Sequence, residues 1–119
     1  MADFGLFVGF GFPVRGREEA AVKVFGEFMQ CLTSQTQQGN IESFEPMFLQ
    51  AHGGDLGGFT IVRGERGKLD QMVASDEFQR LALRAGTTTE NFGVVNCTMG
   101  QELQRQMGTF LGDTSDIRN

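Results

Sequence analysis

The sequence predicts one small α+β domain in the order strand, helix, strand, strand, helix, strand, with an added C-terminal helix. Three observations carry that reading. Four segments show period-two alternation or an enrichment in β-branched and aromatic residues. Two longer segments between them repeat apolar residues at three- and four-residue spacing, and glycine-rich turns separate the elements. A chain of 119 residues fits one domain, and at that size it buries roughly two thirds of the surface its unfolded form exposes.

The first strand spans Phe4 to Phe12, with Leu6, Val8, Phe10 and Phe12 alternating against Phe7, Gly9 and Gly11. Its glycines strip one face of side chains, so another element or a ligand can come close there. Pro13 ends it. A helix follows Gly16, with Glu18 and Glu19 in its first turn, where the helix dipole favours negative charge. Ala21, Val24, Phe25, Phe28 and Leu32 form its apolar stripe. Gly39 is its expected stop, because glycine adopts the left-handed conformation at a helix end.

Asn40 to Gln50 reads as the second strand, with Ile41, Met47 and Leu49 on one parity and Phe44 and Phe48 on the other. Pro46 has no amide donor, which predicts an edge position. His52 to Gly58 is turn-rich, Phe59 to Arg63 is the third strand, and Gly64 to Gly67 turns again. Leu69, Met72 and Val73 open a short helix. Ser75 caps a second segment that carries Asp76 and Glu77 in its first turn. Phe78, Leu81, Ala82 and Ala85 are its buried stripe, with Gly86 as its expected end. Phe92 to Met99 is the last strand. Leu103, Met107, Phe110 and Leu111 share one face of a helix from Gln101 to Leu111. Residues 1–111 thus read as one domain and 112–119 as a polar tail.

Two right-handed crossovers put both main helices on one face of the sheet. The other face remains apolar, with Phe7 and Phe44 read as part of that parity. An apolar sheet face needs cover, and a two-fold copy of the same sheet is the simplest cover. A homodimer through the sheet face is therefore expected.

Composition narrows the function. Phe is present 12 times, while Trp and Tyr are absent. Such rings favour dry packing or an apolar pocket over hydroxyl chemistry. The net charge of −5 and the scattered basic residues argue against nucleic acid and against anionic lipid. Asp3 precedes the apolar opening strand where an export signal has a basic segment, and no run is long enough to cross a bilayer. A cytoplasmic setting with reduced thiols is expected, with Cys31 and Cys97 as small apolar residues. No Cys and His spacing supports zinc, and no cofactor is expected.

Candidate chemistry is sparse. His52, the only histidine, is the candidate general base, or else an exposed loop residue beside two glycines. Arg63 can hold a substrate carboxylate through its planar fork, or pair with Glu45 across the sheet. Asn96 can aim an amide into a pocket or satisfy backbone groups. Phe7 and Phe44 are candidate ring contacts for a small apolar or aromatic ligand. Gly9 and Gly11 begin a dinucleotide-type turn, but Val14 stands where that fingerprint has its third glycine, so they read as close packing. The pairs Gly53-Gly54 and Gly57-Gly58 lack the Lys-Ser or Lys-Thr of a nucleotide loop and read as a flexible connection.

The opening strand Gly5-Leu6-Phe7-Val8-Gly9-Phe10 and the segment from Leu69 through Ser75-Asp76-Glu77-Phe78 resemble the ferredoxin-like dimeric α/β-barrel superfamily. The likeness runs from about Phe4 to Met99. It implies a ferredoxin-like four-stranded antiparallel sheet with helices on one face, paired into a dimeric barrel. The superfamily includes cofactor-independent monooxygenases, haem degraders, small isomerases, stress-related barrels and proteins without known activity. Its haem degraders resemble one another in an Asn, Trp and His set, from which this Trp-free chain departs. It also lacks the Trp and Tyr pocket residues that often accompany the monooxygenases. The expectation is an uncharacterised dimeric binder of a small apolar ligand, held between helices and sheet or in the barrel interior in a site lined mainly by Phe and Met, with a cofactor-independent monooxygenase-like enzyme and a ligand-free association module as alternatives. Whether it is an enzyme stays open, because a fold does not choose a function.

Overall fold

The computed structural model describes residues 2–118. Its elements are β1 (Phe4–Phe10), α1 (Glu18–Gln37), β2 (Ser43–Phe48), β3 (Gly58–Gly64), α2 (Arg66–Ala74), α3 (Asp76–Thr88), β4 (Gly93–Thr98) and α4 (Gly100–Asp113). The sheet order is β2-β3-β1-β4, and every neighbouring pair is antiparallel. This is the ferredoxin-like α+β arrangement, with Pro46 on an edge strand as its missing donor requires.

Register assigns the two faces. Rows Phe44–Val62–Leu6–Asn96 and Pro46–Thr60–Val8–Val94 look toward the helices, and so do Phe48, Gly58 and Phe10. Rows Ser43–Arg63–Gly5–Cys97 and Glu45–Ile61–Phe7–Val95 form the outer face, completed by Met47, Phe59, Gly9 and Gly93. Phe44 therefore does not share a face with Phe7. It pairs with Val62 and packs on the core, while Phe7 stacks on Phe59 with centroids 5.2 Å apart. Ile41, although of Met47's parity, is buried in the core, because it lies before β2 and outside the ladder.

The core lies between this sheet and α1, α2 and α3. Leu6, Val8 and Val62 meet Val24, Phe28 and Leu32 of α1, Leu69 and Met72 of α2, and Phe78 and Leu81 of α3. Burying each such side chain contributes about 1.5–3 kcal/mol. Phe28 meets Phe78 edge to face at 5.5 Å, which fixes α1 against α3.

The local signals end the helices for identifiable reasons. Gly39 takes φ +76 just past α1. The Ser75 hydroxyl accepts the Phe78 N–H at 3.2 Å and so starts α3. Gly86 does not end α3. The helix runs two residues further, and the Thr88 hydroxyl donates to the Arg84 carbonyl at 2.9 Å. Gly67 likewise lies inside α2 and forms no part of a turn.

Candidate functional site

A cleft of about 590 Å³ opens between α1 and the helix-facing side of the sheet. That is within the size of ordinary small-molecule sites. Val8, Phe10 and Thr60 form its floor, and Val24, Phe25, Phe28 and Leu32 of α1 its wall. Ala85 and Thr89 at the end of α3, with Phe92 before β4, close its inner end. Phe12, Val22 and Phe48 stand exposed at the rim, Phe48 at 73%.

The floor ring of Phe10 takes the space beside a glycine. Gly58 sits between Phe10 and Phe48 in register. A Cβ there would lie 2.7 Å from the Phe10 ring, so the ring occupies the space that glycine leaves. The rings of Phe10, Phe25 and Phe48 then form a triangle with centroid separations of 6.0, 6.1 and 5.2 Å. Phe28 and Phe92 meet deeper in, at 5.9 Å. Six of the lining residues are phenylalanine.

The electrostatics are as plain as the packing. Thr60 and Thr89 carry the polar side chains of the lining, and no ionisable residue contributes to it. The arrangement can hold an uncharged, ring-containing molecule by dispersion and ring contacts. It offers no side chain to carry a proton, and among the described residues no cluster of His, Cys, Asp and Glu could hold a metal ion.

The five residues singled out from sequence lie elsewhere. His52 is exposed in the β2–β3 connection. Its Nε2 faces the Leu56 carbonyl at 2.8 Å, and its Nδ1 accepts the Gly54 N–H at 3.3 Å. The ring therefore staples its own loop, with the proton on Nε2. Arg63 pairs with Glu45 on the outer face, the cross-sheet partner that its position allowed. Phe7 lies on that same face. Asn96 is exposed on edge strand β4, and Phe44 packs beside the core without lining the cleft. The structure thus brings Phe7 and Arg63 to one surface and leaves His52, Asn96 and Phe44 apart.

Sequence reasoning left a Phe- and Met-lined site between helices and sheet as one of two places for a ligand, but assigned Phe25, Phe28 and Leu32 to packing and did not name them as its wall. Helical spacing marks a buried stripe without saying how far the opposing sheet stands from it. The available signals were the twelve phenylalanines, which favour dry packing or an apolar pocket, and Thr60, a hydroxyl in the middle of an apolar strand.

Gly11 is closely packed as expected, whereas Gly57 and Gly58, expected in a flexible connection, are tied to the sheet. The Gly57 N–H donates to the Phe10 carbonyl at 2.8 Å, and the Gly11 N–H donates to the Glu90 carbonyl at 2.6 Å. Gly58 is a buried residue of β3. No helix among the described residues is long and apolar enough to cross a membrane.

No family model matches the chain, and no curated protein does. Solved structures do. A DABB family protein with a ferredoxin-like fold from Mesorhizobium loti superposes with a TM-score of 0.64 at 11% identity, covering 84% of this chain and 99% of that one. SnoaB, a cofactor-independent oxygenase from Streptomyces nogalater, gives 0.57 at 15%, covering 84% and 96%. A dimeric protein of unknown function with a ferredoxin-like fold, from Bacteroides fragilis, gives 0.57 at 10%, covering 81% and 96%. The likeness is one of fold: the chain is a ferredoxin-like α+β domain of the architecture that DABB proteins and antibiotic-type monooxygenases share.

Proposed function

We propose that the chain binds a small, uncharged, ring-containing ligand in the α1–sheet cleft, and that it works as a homodimer paired through the outer sheet face. The observation that carries the binding reading is the cleft itself, about 590 Å³ of space walled by phenylalanines with no ionisable lining. The dimer reading rests on the outer face. Phe7, Phe59 and Ile61 are only half-buried there, and Val95 is 56% exposed. The dimeric Bacteroides fragilis protein supports the same reading at the level of fold.

A cofactor-independent oxygenase is the second reading, favoured by the dry aromatic walls and by the likeness to SnoaB. It ranks below binding because activating an electron-rich ring needs a base, and the cleft lining supplies none. A ligand-free association module would have filled this space.

Titration with the uncharged fluorophore N-phenyl-1-naphthylamine tests the proposal. The wild type should saturate at one probe per chain. Ala21→Phe, which pushes a ring into the cleft from α1, should weaken binding by about tenfold or more, as loss of one well-buried contact does. His52→Ala should leave affinity within about twofold, since its ring contacts only its own loop. Equal binding by wild type and Ala21→Phe would overturn the site. Oxygen uptake with a phenolic ligand, lost in Ala21→Phe, would put the oxygenase first.

A further inference from the structure

The C-terminal helix is held at its base and left largely exposed along its apolar side. The Gln101 N–H donates to Asp3 Oδ1 at 3.2 Å, and the Met99 N–H donates to the Asp3 carbonyl at 2.9 Å. Thr98 Oγ1 donates to Gln106 Oε1 at 2.9 Å, and Arg105 grips Glu102 within the first turns. These contacts specify where α4 leaves the sheet. Yet none of its residues is buried, and Met107 and Phe110 are 60% and 64% exposed. Leu103 and Leu111 flank them on the same stripe.

The chain as a whole is also drawn out. The chain measures 52 × 38 × 22 Å with a radius of gyration of 16.5 Å, against about 13.5 Å for a compact domain of this length. A specified helix with a largely exposed apolar stripe needs a partner surface.

We infer that α4 is an exchange arm that packs its Leu103, Met107 and Phe110 stripe onto a second copy of this chain, extending the sheet-face interface. The inference rests on the dimer proposed above. Three observations select a second copy as the occupant.

The first is area. Four strands at about 4.8 Å spacing, two of seven residues and two of six at about 3.3 Å rise, give a flat face of about 410 Å². A stable interface needs about 800 Å² per partner. The 14 residues of α4 add a strip about 21 Å long and 10 Å wide, or about 210 Å². The sheet alone falls well short, and the arm supplies much of the difference.

The second is charge. The chain carries −5 overall, which opposes self-association. The outer sheet face holds Arg63 and Glu45 already paired with each other, and the α4 stripe is uncharged. Two copies can meet on these surfaces without bringing like charges together.

The third is continuity. Met99, the residue before α4, lies on the outer face against Gly5, where a Cβ would come within 2.8 Å of Met99 Cε. The apolar outer face therefore leads directly into the base of the arm.

Sedimentation equilibrium on the full chain tests this with three variants. The wild type should show a species of twice the 13.1 kDa chain mass. Met107→Glu/Phe110→Glu should raise the dimer Kd by about tenfold or more with unchanged circular dichroism, and the milder Leu103→Ala should shift it in the same direction. Ile61→Glu, on the sheet, should also disrupt the dimer. If Ile61→Glu breaks the dimer while both α4 variants keep the wild-type Kd, the arm contributes nothing to the interface and the inference fails alone. A wild type that stays monomeric at every concentration overturns the arm and the sheet-face dimer together.

Discussion

The thiol of Cys31 in α1 donates to the carboxylate of Glu77 in α3, with Sγ 2.9 Å from Oε1. Burial pushes this thiol up from 9.0 to about 12, and the hydrogen bond and charge of Glu77 add to the effect. A thiol held neutral is a poor nucleophile. Cys31 should therefore stay unmodified through an iodoacetamide pulse at pH 8 that labels it fully in guanidinium. Glu77→Gln keeps an oxygen acceptor and removes the charge, so labelling should quicken severalfold. Because the folded thiol ionises later than the unfolded one, its contribution to stability is complete below pH 9 and is lost as pH rises toward 12. Equal labelling of native and denatured chains would refute this account.

Arg84 and Glu27 tie the same two helices by a two-pronged ion pair, at 2.9 and 3.1 Å. The Arg84 hydrogen bond holds the Glu27 carboxyl below its ordinary value of 4.5, with Arg84, Arg80 and Lys23 charges assisting. For a carboxylate shifted down, the stabilising contribution is present above the unfolded pKa and disappears as pH falls through the folded one. Chemical denaturation at a series of pH values should show the wild type losing stability below about pH 4.5 more steeply than Glu27→Gln. The two profiles should run parallel at neutral pH. Identical acid limbs would show that the pair contributes nothing measurable.

Gly11 continues β1 past its last ladder position. There its N–H meets the Glu90 carbonyl, and the Phe12 carbonyl accepts the Glu90 N–H at 2.9 Å. A Cβ on Gly11 would lie 2.6 Å from the Glu90 oxygen and 2.9 Å from the Asp55 oxygen, both backbone atoms. Neither can swing aside, so Gly11→Ala should destabilise by about 1–3 kcal/mol. Gly86 provides the contrast: it lies inside α3 with open space around its Cβ position. Gly86→Ala should stabilise by about 0.4–1 kcal/mol. Thermal melts of the two variants should move in opposite directions, and a Gly11→Ala melt at or above wild type would contradict the packing.

Local chemistry was legible where the cause was local. Pro46 announced an edge strand because it has no N–H to give. Ser75 announced the start of α3 because its hydroxyl can take an orphan amide. Gly39 announced the end of α1 because φ +76 suits glycine. Gly86 misled because a glycine inside a helix looks the same in sequence as one that ends it. The conformation it adopts depends on whether Thr88 and its neighbours keep bonding backward.

Sequence alone determined the element order, the apolar stripe of each main helix and the presence of apolar residues on both sheet faces, because periodicity within one element follows from backbone geometry. Tertiary structure decided which faces coincide. Alternation relates residues within a strand, whereas only the ladder set Phe44 against Val62 and Phe7 against Val95. It also decided that the wall of α1 stands off the floor formed by Val8, Phe10 and Thr60, leaving a cleft, and that the apolar stripe of α4 is left largely exposed. Both depend on distances between elements far apart in the chain, which no repeat within either one encodes.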